Sequence, residues 1–167
     1  MNDHVNRLIR DYVDGRLGDG DGRLVDSIDV GASKVIWLRN PPYDVTVLHP
    51  ADGTPGPLGS SQEDPIDGVA SVRLGSMSGL RDGGEEIVAV KILLAGVVAQ
   101  AIEVDGTVVR REPMVPPGVL VAVELHDRPV TLRVLGDDGS LLQELVVAPD
   151  GSERVANERG SFTWGSG

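Results

Sequence analysis

The pair Asp-Gly recurs at Asp52, Asp105, Asp138 and Asp150, each time following a short run rich in valine or leucine. This pattern constrains the fold most, because Asp-Gly between alternating apolar runs is the strongest short-range sign of a β-hairpin. The runs themselves favour strands. Of 167 residues 25 are valine, against seven isoleucines and five aromatic residues. The 22 glycines and 11 prolines supply turns between them. The expected fold is therefore all-β, a two-layer antiparallel β-sandwich, Ig-like in shape, with about seven to nine strands. A partly open β-barrel is the alternative.

One helix is expected, at the start. Val5, Leu8, Ile9, Tyr12 and Val13 recur at spacings of three and four, and Asn2 or Asp3 can cap the first turn. The Gly/Asp-rich segment 14–22 then reads as a hinge or exposed loop. Residues 1–22 are thus set apart from a β-sandwich domain at 23–150 and a polar tail at 151–167.

Within the sandwich, KVIWLR and Asp44 to Leu48 read as strands joined by the NPPYD turn. Residues 49–67, rich in Pro and Gly, read as one long loop, and GSMSGLRDGG as a second. Ile87 to Leu94 and Val97 to Val104 are apolar on both faces, which marks central strands. Their β-branched content and Gly96 argue against one helix over 85–104. Leu120 to His126, Pro129 to Leu135 and Leu141 to Val147 read as a meander. A two-residue turn at Asp138-Gly139 sets Val130 against Val147, Leu132 against Leu145, Arg133 against Glu144 and Leu135 against Leu142.

Charge and chemistry remove whole classes of function. The net charge of −11 argues against binding nucleic acid or an anionic membrane surface. Without cysteine there is no disulfide, thiolate metal site or thiol nucleophile, which fits a cytoplasmic setting. The most apolar stretch is interrupted by Lys91 and Gln100 and falls short of the about 18 uncharged residues of a membrane span. GSMSG places Met77 where a nucleophile elbow needs serine, and GDGDG has the wrong spacing for a dinucleotide fingerprint. No cofactor is expected. The acidic pairs Glu85-Glu86 and Glu63-Asp64 read as solvated loop charges.

Several residues remain as candidates. Asp19 to Leu24 has the middle of a calcium loop, but Leu17 and Ile28 fall where the first and last ligands belong. His49 and His126 both end expected strands, with Asp52 and Asp127 close in sequence, and form a candidate metal or small-ligand set. Trp37 reads as a core anchor, and Tyr43 and Trp164 as candidate exposed aromatics of a carbohydrate or peptide site. The segment LIRDYVDGRL, residues 8–17, resembles the opening helix of anti-sigma-factor domains through Leu8, Tyr12, Asp14-Gly15 and Leu17. The zinc ligands that follow in that family do not follow here. The resemblance implies that Leu8, Tyr12 and Leu17 face a sigma factor.

The leading functional expectation is a non-enzymatic module mediating protein–protein interaction, with self-association left open. The alternatives are a small-ligand or metal-binding domain and an anti-sigma-like regulator acting through the helix. An enzyme with its site on the 49–67 loop ranks behind these.

Overall fold

The computed structural model describes residues 2–18, 22–41, 43–62, 70–82, 84–149, 153–157 and 160–164. It is mainly β, with one short helix, three antiparallel sheets and no closed barrel among the described residues. The chain divides into two compact units, residues 1–67 and 68–167. The helix belongs to the same unit as the first sheet.

In the first unit, helix α1 spans Asn2–Val13. It ends at Gly15, whose φ of +68° an L side chain rarely adopts. There Arg16 N donates to Asp11 O at 2.8 Å and Gly15 N to Tyr12 O at 3.2 Å, the paired reversal of a glycine C-cap. Strands β1 (Arg23–Val30), β2 (Ser33–Asn40), β3 (Tyr43–His49) and β4 (Gly56–Gln62) follow as a meander in sequence order. Alternation gives β2 and β3 two distinct faces. Ile36, Leu38, Val45 and Val47 pack against Val5, Leu8 and Ile9 of the helix. Trp37 and Thr46, paired across the ladder, lie on the opposite face and are also buried. On that face Trp37 Nε1 donates to Asp44 Oδ1 at 2.7 Å, so the indole is buried with its polar atom satisfied.

The second unit holds two sheets. One has the order β5-β6-β9, from β5 (Ser71–Asp82), β6 (Glu85–Ala95) and β9 (Gly118–Glu124). The other runs β13-β12-β11-β10-β7-β8, from β7 (Ala99–Val104), β8 (Thr107–Met114), β10 (Val130–Leu135), β11 (Leu141–Val147), β12 (Glu153–Asn157) and β13 (Gly160–Trp164). Val88, Val90, Ile92 and Leu94 of β6 and Val119, Val121 and Val123 of β9 share one core with Ile102, Met114, Leu132, Val134, Leu145 and Val147. That is a two-layer sandwich. Both apolar runs, now β6 and β7, are interior to their sheets as their composition requires.

Three expectations are corrected. The loop read over 49–67 contains β4, a strand of poor intrinsic preference that pairs with β3 through its backbone. The loop read over GSMSGLRDGG is mostly strand as well, since β5 continues to Asp82 past a bulge between Leu74 and Met77. The tail forms β12 and β13, which extend the large sheet from β11. Residues 19–21, which hold both aspartates of the calcium-like segment, and residues 63–69 lie outside the described residues, as do the side chains of Phe162 and Trp164.

Candidate functional site

Two features of the second unit stand out from an otherwise closed sandwich. The first is the β7–β8 arm at the edge of the large sheet. Among the described residues seven large apolar side chains are exposed, and four belong to this arm or its ends: Val98, Val108, Val109 and Val115. They are between 36% and 56% exposed. The backbone of β8 is guarded. Its pairing with β7 slips between Ile102 and Glu103 and again between Ala99 and Ala101, so β8 is bulged, and Pro113 near its end carries no N–H. Arg110 turns inward, donating to Leu120 O of β9 at 3.1 Å while pairing with Glu112. It thereby ties β8 of the large sheet to β9 of the small one. Arg111, exposed, meets no carboxylate among the described residues.

The second feature sits at one end of the small sheet. β6 and β9 run antiparallel with Ile87 opposite Glu124. A bond from Leu125 N to Glu86 O at 2.8 Å carries the pairing one step further. The same register sets Glu85 opposite His126, and Glu124 lies two residues before His126 on the same face. The ligand atoms of Glu85, Glu124 and His126 all lie within 4.8 Å of one another, and all three side chains are exposed. His126 Nε2 is 3.6 Å from Glu124 Oε2. The neighbouring Glu86 pairs with Arg81 at 3.2 Å, whereas neither Glu85 nor Glu124 meets an Arg or Lys among the described residues.

The residues expected from sequence take separate places. His126 joins the strand-end cluster. His49, in the first unit, is hydrogen-bonded through Nδ1 to Tyr12 Oη at 3.1 Å, with the two rings edge to face. Asp52 and Asp127 are exposed turn residues outside the cluster. Leu8 is only 2% exposed and packs on its own sheet, with Tyr12 and Leu17 half-buried beside it. Of the three residues in the sigma-factor resemblance, Leu8 is thus covered within the first unit, while Tyr12 and Leu17 stay partly exposed. Leu17 also lines a shallow hollow with Arg7, Asp11, Arg16 and Asn40, where Arg16 is already tied to Asp11 and Asp14. Trp37 is wholly buried, as a core anchor should be.

Glu85 and Glu124 were not legible as site residues. Their partner strands are separated by the whole β7–β8 arm, so no hairpin count brings them together. No helix among the described residues is long and apolar enough to cross a membrane. Comparison with protein-family models, curated proteins and solved structures finds no match.

Proposed function

We propose that the chain is a non-enzymatic β-sandwich module that binds a partner protein through the side chains of its β7–β8 arm. The observation that carries this reading is that four of the seven exposed large apolar side chains among the described residues lie on one arm, a pair at each end of its ladder, since exposed apolar surface beside polar groups marks interaction sites. The bulges and Pro113 favour side-chain contact over addition of a strand. Arg111 adds a positive charge on a chain of net charge −11. The partner surface that fits is apolar at its centre and carries a carboxylate to meet Arg111. A cytoplasmic setting is part of this reading.

The test compares the wild type with a Val109→Lys, Val115→Lys variant in quantitative affinity capture, with a photo-crosslinker placed at Val108 or at Leu141. The expected result is one partner retained by the wild type, lost by the variant and crosslinked from position 108 but not 141. A partner held equally by both proteins, or none held by either, would overturn the proposal.

A further inference from the structure

We propose that Glu85, Glu124 and His126 form a binding site for a divalent transition-metal ion. The argument begins with spacing. Zinc and similar ions hold nitrogen and carboxylate oxygen at about 2.0–2.2 Å, which puts neighbouring ligand atoms of a tetrahedron about 3.3–3.6 Å apart. The 3.6 Å between His126 Nε2 and Glu124 Oε2 already has that length. Glu85 brings a third ligand atom within 4.8 Å of both. Small rotamer changes of an exposed glutamate then close the set.

Backbone placement comes next. The three side chains share one face because the β6–β9 register puts them there, and the Leu125–Glu86 hydrogen bond fixes that register at the strand ends. The geometry thus rests on sheet pairing rather than on a free loop.

Charge and donor type complete the case. Two carboxylates converge with no Arg or Lys between them among the described residues, and a divalent cation offsets both charges. A purely oxygen set would suit calcium or magnesium. An imidazole nitrogen moves the preference to the transition series, zinc and cobalt included. Three protein ligands leave further coordination positions to water at this exposed site.

The test is calorimetric titration of the chelator-treated full chain with zinc chloride, with cobalt chloride as an absorption probe. One equivalent should bind. Glu85→Gln, Glu124→Gln and His126→Ala should each weaken it by about tenfold or more, the scale that loss of an outer-shell partner alone reaches. Asp127→Asn should leave binding unchanged. All three ligands are exposed, so circular dichroism melts of the variants should match the wild type. Absence of binding, binding that survives all three ligand substitutions, or binding of calcium chloride but not zinc chloride would overturn the site.

Discussion

At Gly118 the chain adopts a φ of +151°, and a Cβ there would run into the carbonyl oxygen of Ile92 on the neighbouring strand. Neither backbone can yield without breaking the β6–β9 ladder. Gly118→Ala is therefore expected to cost about 3 kcal/mol or more, combining overpacking with backbone strain. Gly139, at φ +77° with open space around it, provides the contrast. Its alanine variant should lose only about 1–2 kcal/mol, the penalty of the left-handed conformation alone. Urea melts of the two variants would separate steric from conformational cost. His4 carries a different liability. Its ring lies 4.7 Å from that of Tyr43, and its Nε2 is buried without a hydrogen-bond partner. Burial, and then the charge of Arg7, hold its pKa below the ordinary histidine value of 6.5. The unfolded chain thus takes up the proton first as pH falls. The contribution of neutral His4 is complete above pH 6.5 and declines as pH falls through the native value. Chemical denaturation at pH 7.5 and 5.5 should show a stability loss that His4→Phe reduces.

Among the elements, the β10–β11 hairpin shows how far a turn rule reaches. Val130 pairs with Val147, Leu132 with Leu145 and Arg133 with Glu144, as the Asp138-Gly139 turn requires. The last pair differs: Leu135 faces Leu141 rather than Leu142, because the ladder shifts by one after Val134. A bulge beside a turn costs little, and nothing in the side chains announces it. β4 and the second half of β5 were illegible for another reason. GPLGSSQ and GSMSGLRD have few β-formers, and their strands exist through backbone pairing to stronger neighbours. Helix α1 was legible because its apolar spacing matches its period, but what that face packs on was not. The strand-end cluster depended on a pairing between strands not adjacent in sequence, which local spacing cannot supply. β6 yields the sharpest test at this scale. Ile92 is wholly buried between the two sheets of the second unit. Ile92→Asp places an unpaired charge there and should abolish the cooperative melt. A soluble variant with an unchanged midpoint would contradict the packing of β6.

The molecule as a whole is governed by its acidity. With 26 acidic against 15 basic residues, net repulsion works against close approach of copies at neutral pH. That repulsion vanishes near the isoelectric point of about 4.6, leaving the exposed valines of the β7–β8 arm unopposed. Light scattering should show self-association rising between about pH 4 and 5 and falling again in Val109→Lys, Val115→Lys.

The threading of the second unit also sets the order of its assembly. The chain lays down β5 and β6 in the small sheet, crosses to the large one for β7 and β8, returns for β9, and crosses again for β10. Neither sheet can close until a segment destined for the other has been looped out, and that entropy is lost before any distant contact repays it. In residues 1–67, by contrast, every strand pairs with its immediate neighbour in sequence. The first unit is therefore expected to form before the second in a refolding experiment. β6, paired with β5 on one side, leaves its other edge without a partner until β9 is made, and an apolar strand edge left unpaired during folding favours aggregation.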